Sequence, residues 1–172
     1  MFRYLLLVTC LSLLPFTLYS KERAMEKLLG EYISWASKTD KQGLKLGKPL
    51  QKQDIELAKE IGIQHPEKVR IVYTETVPFP EQNKALKAWG EELGLVGNGI
   101  VNNAQVFGYS IYVRYGYELN RPKLAHELVH VLQIERSSLE AVVIQHFQDM
   151  AKYDYENAPL EAEAFKANIK YR

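Results

Sequence analysis

The chain holds 172 residues, with 22 lysines and arginines against 21 aspartates and glutamates, for a net charge of +1. One domain with a buried core fits that length, and a hydrophobic content of 47% excludes a disordered chain. Charges of both signs are interspersed, so the basic stripe of a nucleic-acid binder is excluded as well.

The first twenty residues, MFRYLLLVTCLSLLPFTLYS, place a cation at Arg3, an apolar run from Leu5 to Leu18 and a small residue at Ser20, ahead of the polar Lys21-Glu22-Arg23. This is the layout of a secretory signal peptide. The run falls short of the about 20 apolar residues that a membrane span needs, and Pro15 interrupts it. Residues 1–20 are therefore expected to be a signal peptide cleaved near Ser20. An uncleaved anchor is the alternative, and the only expected tie to a membrane. Residues 21–172 are expected to form a single domain that is secreted or held in the periplasm or cell envelope. Cys10, the only cysteine, lies in the leader. A mature protein without a thiol has no disulfide, and any metal must be held by histidine and carboxylate.

Downstream, Lys21 to Lys38 carries Met25, Leu28, Leu29, Tyr32, Ile33 and Trp35 near helical spacing and predicts an amphipathic helix. Lys38 to Pro49 is polar with two glycines and reads as a loop. Asp54 to Ile61 predicts a short helix stopped by Gly62, and Val69 to Thr74, β-branched and aromatic, a strand. Glu81 to Leu93 predicts a helix closed by Gly94. Ile100 to Phe107 and Tyr109 to Tyr115 predict two strands around Gly108, the second with the alternation of a half-buried strand. Asn120-Arg121-Pro122 is a strong helix start and predicts a helix to about Arg136. Ser137-Ser138 opens another, Leu139 to Lys152; after a loop from Tyr153 to Ala158, Pro159 opens a last one through Ile169. The expected class is α+β: a small antiparallel sheet packed on a helical core.

The helix after Pro122 carries HELVH, from His126 to His130. Residues four apart share a helix face, so two imidazoles there can point at one ion from the same side. Glu127 adjoins the first histidine, where its carboxylate reaches a water on that ion and takes its proton as general base. Leu124, Ala125, Leu128, Val129, Val131 and Leu132 surround the motif with core-forming residues, and a buried neutral histidine pair fits a metal role. The strand from Tyr109 to Tyr115 precedes it and is expected to lie beside the site and hold an extended peptide by strand addition.

Catalytic zinc takes three protein ligands and one open position. Gln133 and Arg136 exclude the HExxHxxGxxH class, which needs glycine and histidine there. The helix opened by Pro159 offers Glu161 and Glu163. Two apart on a helix, they cannot both face the ion. Glu161, in the first turn and nearer the loop, is favoured as ligand; Glu163 is the other candidate, and otherwise orients a histidine or complements the helix dipole. His146 and His65 read as packed or surface histidines, and Tyr153 and Tyr155 as loop aromatics whose hydroxyls could reach an oxyanion.

HELVHVLQ followed by PLEAEA resembles the zincin superfamily of metallopeptidases, in its glutamate-ligand branch, the gluzincins. It is most similar to small bacterial proteins with a HEL-x-H-x-x-Q helix and a later P-x-E-x-E-A segment, and SIYVR before the helix fits that pattern. The resemblance covers about Ile100 to Lys166. It implies His126, His130 and Glu161 as ligands of one Zn2+ and Glu127 as general base. Phe165 stands where many such proteins place an aspartate that supports a histidine.

The leading expectation is a secreted or envelope zinc metallopeptidase acting on a peptide or protein substrate. The alternative is a non-catalytic zincin-fold binding or assembly module that retains the metal site. A module of that kind has no use for a carboxylate between its histidines, so Glu127 separates the two. A zinc carrier is expected to offer flexible His-rich stretches, and the sequence holds none.

Overall fold

A computed structural model of the chain describes residues 14–97, 99–153 and 157–172. Helix α1 (Leu14–Leu46) leads into strand β1 (Lys48–Pro49), α2 (Lys52–Ile61), β2 (Arg70–Thr74), α3 (Lys84–Glu92), β3 (Ala104–Phe107), β4 (Ser110–Arg114), α4 (Arg121–Arg136), α5 (Leu139–Lys152) and α6 (Pro159–Lys170). The expected signal peptide falls largely on residues 1–13, outside the described residues. No helix among the described residues is long and apolar enough to cross a membrane.

The class is α+β, as expected. The sheet runs in the order β1-β2-β4-β3. It is mixed rather than wholly antiparallel: β1–β2 and β3–β4 are antiparallel, but β2 and β4 run parallel, with Ile71 opposite Ile111 and Tyr73 opposite Val113. The chain between β2 and β4 carries α3 and then β3, so β4 returns in the same direction as β2.

Helices cover both faces of this sheet. One core packs Ile111 and Val113 against Leu57 of α2, Leu128 and Val131 of α4, and Ala164 and Ala167 of α6. The other packs Val72, Phe107 and Tyr112 against Tyr32 and Ala36 of α1, Leu86 and Trp89 of α3, and Phe147 of α5. Strand β4 is therefore buried on both sides from Ser110 to Val113, which corrects the half-buried reading of its alternation. Its polar members are satisfied inside: the Tyr112 hydroxyl donates to the Thr39 carbonyl at 2.9 Å.

The expected loop from Lys38 to Pro49 is not one. Helix α1 continues to Leu46, and Gly43 within it serves close approach rather than a break. A Cβ on Gly43 would lie 2.5 Å from the Ser110 Cβ and 3.0 Å from the Tyr112 ring, so only glycine lets α1 sit this close to β4. Asp40, one turn before, accepts from the backbone N–H groups of Tyr109 and Ser110, both at 3.0 Å. Tyr109 belongs to the two-residue β3–β4 turn and Ser110 follows it; Gly108, the first turn residue, takes φ +86° beside the same carboxylate. Burial raises the Asp40 carboxyl above its ordinary value, against the pull of its hydrogen bonds to Ser110 and Tyr109.

The remaining boundaries follow their caps. Gly62 ends α2 at φ 111°. Helix α3 starts at Lys84, three residues later than read from sequence, because the Asn83 side chain accepts from the amides of Ala85 and Leu86. Asn120 caps α4 through Lys123 N, and Ser138 caps α5 through Ala141 N. Of the strand expected from Ile100, only Ala104–Phe107 pairs.

Candidate metal centre

Helix α4 runs through the middle of the molecule, with Leu124 to Val129, Val131, Leu132 and Gln133 buried. His126 and Glu127 are each 8% exposed. Helix α6 packs on α4 and delivers Glu161, 4% exposed, from its first turn. His126, His130 and Glu161 form a group whose ligand atoms all lie within 4.8 Å of one another and which could hold a metal ion. The two Nε2 atoms are 3.2 Å apart; Glu161 Oε2 lies 3.5 Å from His126 Nε2, and its Oε1 lies 3.6 Å from His130 Nε2.

The far side of each ring fixes its tautomer. Gln133 spends its amide N–H groups on the Leu160 carbonyl and on Glu163 Oε2, both at 2.9 Å. Its Oε1 must then accept from His130 Nδ1, 2.9 Å away, leaving the lone pair on Nε2. His126 Nδ1 donates to Asn168 Oδ1 at 2.8 Å, with the same result. Two imidazole lone pairs and a carboxylate thus converge on one point, an arrangement that calls for a positive charge there. Burial works against a charge on His126, but Glu161, Glu127 and Asn168 outweigh it and hold that histidine above its ordinary value. Burial pushes His130 down.

Glu163 does not face the centre. It accepts from Gln133 and, at 2.6 Å, from Arg136 Nη1, so it steadies His130 through Gln133. Sequence reasoning missed Asn168. The place held by Phe165 does not support His126 by a hydrogen bond; its ring packs edge-on against the imidazole, with centroids 5.0 Å apart. The hydrogen bond comes from Asn168, three residues on, and 161, 165 and 168 share one helix face. That i, i+4, i+7 spacing is the signal that could have found it.

A cleft of about 530 Å³ opens onto the centre. His126, Glu127, His130 and Glu161 line one part of it, and strand β3 forms a wall. The strand expected to hold a peptide, Tyr109 to Tyr115, is not available for it, because β4 is paired on both edges. The sheet edge at the cleft belongs to β3. Arg114 N donates to Asn103 O, so the ladder bonds fall on Gln105–Tyr112 and Phe107–Ser110. The N–H and C=O groups of Ala104 and Val106 therefore point away from β4, along the cleft. Burial, with Glu161 adding to it and His126 opposing, raises Glu127 to about 7. Tyr153 and His146 also line the cleft; Tyr155 lies outside the described residues. His65 is exposed, beside Glu67 at 3.4 Å. The chain matches no protein-family model, no curated protein and no solved structure.

Proposed function

We propose that this protein is a zinc-dependent peptidase. The observation that carries the reading is the convergence of two buried Nε2 lone pairs and a buried carboxylate beside Glu127, at the sheet edge formed by β3. Tetrahedral zinc with Zn–N near 2.0–2.1 Å would set its ligand atoms about 3.3 Å apart, close to the observed 3.2, 3.5 and 3.6 Å. When bound, zinc supplies Lewis acidity that polarises a carbonyl and acidifies a water.

The chain's own residues supply the rest. The edge of β3 presents alternate main-chain N–H and C=O groups, which an extended peptide matches by strand addition. Glu127 sits in a desolvated wall with a carboxyl raised to about 7, suited to taking a proton from water and giving it to the leaving amine. Gln133 and Asn168 hold the imidazoles in the tautomer that leaves Nε2 free. In keeping with the signal peptide expected from the sequence, we place the protein outside the cytoplasm.

Elemental analysis of the full chain, with peptide hydrolysis measured beside it, tests this. One zinc per chain is expected, lost in Glu161→Ala and kept in Glu163→Ala. Glu127→Gln is expected to keep the zinc and lose hydrolysis by at least a hundredfold. No zinc in the parent after supply would overturn the proposal. Zinc without hydrolysis of any peptide would leave a binding module.

A further inference from the structure

The core between the sheet and α1, α3 and α5 is not closed on all sides. Phe79, Phe107 and Phe147 pack within it and also line the cleft, as does Tyr32 of α1. The cleft therefore runs from the polar group of His126, Glu127, His130 and Glu161 into an aromatic end. A benzene ring fills an apolar cavity of about 150 Å³. At about 530 Å³ the cleft has room for a large side chain at that end and for a main chain beside β3.

One run of polar groups interrupts the aromatic end. Asn102 Nδ2 donates to Gln105 Oε1 at 3.1 Å, and Gln105 Nε2 donates to the Tyr32 hydroxyl at 2.9 Å. All three residues line the cleft. Gln105 thus turns its N–H to Tyr32 and its oxygen to Asn102, so Tyr32 receives a hydrogen bond and must place its own proton elsewhere. Among the described residues none accepts that proton. Tyr32 is only 5% exposed, and the Phe147 ring meets it edge-on with centroids 5.2 Å apart. Burial pushes the Tyr32 hydroxyl up to about 12, with Gln105 pulling the other way, so the proton stays on the oxygen at neutral pH. A buried donor without an acceptor costs stability, and an acceptor that arrives with a ligand removes that cost.

We infer that Tyr32 is a specificity-determining residue: its O–H donates a hydrogen bond to the phenolic oxygen of a substrate tyrosine seated at the aromatic end of the cleft. The inference rests on the peptidase reading above. Tyrosine matches both parts of this surface. Its ring packs among Phe79, Phe107 and Phe147, and its hydroxyl meets the polar run. The match works in both directions, because Gln105 Oε1 keeps a second lone pair that can accept from the substrate hydroxyl. Phenylalanine would fill the same space but leave the Tyr32 proton covered and unpartnered. A site built around a hydroxyl rejects the analogue that lacks it.

The test uses the zinc-loaded full chain and a matched peptide set with tyrosine, phenylalanine or leucine in turn at each position flanking the cleaved bond. Cleavage is read in the parent and in Tyr32→Phe. Peptide affinity is read in Glu127→Gln, with and without Tyr32→Phe. In the parent, tyrosine is expected to exceed phenylalanine about ten- to a hundredfold at one position, in kcat/KM and in affinity. Tyr32→Phe is expected to bring that ratio within about threefold while the phenylalanine peptide is cleaved at least as well as by the parent, a change that lost packing would not produce. Gln105→Leu removes the partner of Tyr32 and the second acceptor; it is expected to lower the ratio too, and it decides the question if Tyr32→Phe fails to fold. No tyrosine preference at any position, or one that survives in Tyr32→Phe, would overturn the role of Tyr32 and leave the peptidase reading standing. A zinc-loaded parent that neither binds nor cleaves any peptide of the set would overturn both.

Discussion

At the scale of single residues, Gln133 and Asn168 orient the two imidazoles of the candidate centre. Each hydrogen-bonds the Nδ1 atom, leaving Nε2 turned to the centre. Replacing either by alanine is expected to weaken zinc about ten- to a hundredfold while leaving the zinc content at saturation at one per chain, measured by competition with a chelating dye. Neither amide was read from the sequence as a supporting group: the helical spacing of Asn168 from Glu161 points to it only once Glu161 is placed at the centre, and Gln133 acts through Glu163 and Leu160 of another helix. The histidine pair and Glu127 were legible, since helical geometry alone brings positions 126 and 130 together. Glu161 and Glu163 were separable only in part. The position of Glu161 in the first turn favoured it, but the role of Glu163 depends on Arg136 and Gln133 coming from another helix.

At the scale of elements, the starts of α4 and α5 were read well, where Asn120 and Ser138 cap an amide, but the cap at Asn83 was missed and α3 was started three residues early. The end of α1 was misread as well, because Gly43 and Gly47 look like breakers until β4 is placed beside the first and β2 beside the second. The glycines of α1 separate the two roles. Gly30 has nothing within 4 Å of an added Cβ, whereas Gly43 would drive one into Ser110. Gly30→Ala is expected to raise stability by about 0.5–1 kcal/mol through helix propensity. Gly43→Ala is expected to lower it by about 1–3 kcal/mol through overpacking. Urea denaturation of the two variants beside the parent checks both signs.

At the scale of the whole molecule, the candidate centre is expected to oppose folding when no metal is bound. Burial, with Glu161 adding to it, lifts Glu127 from 4.5 to about 7, so the folded chain holds a proton that the unfolded chain has lost. A raised folded value gives stability that is present below pH 4.5 and lost as pH rises towards 7. Between pH 5 and pH 8 the metal-free parent should therefore lose more stability than metal-free Glu127→Gln. Denaturant titrations at several pH values read the difference directly, and equal slopes would remove the burial argument for Glu127.

The division of the centre between two helices carries one more consequence. Both imidazoles belong to α4 and the carboxylate to α6, with all of α5 between them in the chain. An ion held there is a cross-link as much as a reagent. It closes a covalent loop around α5 and the segment after it, in a chain whose single cysteine, Cys10, cannot form an internal disulfide. A nick in that segment would leave two fragments clasped through the metal, to be released by a chelator rather than by a reductant.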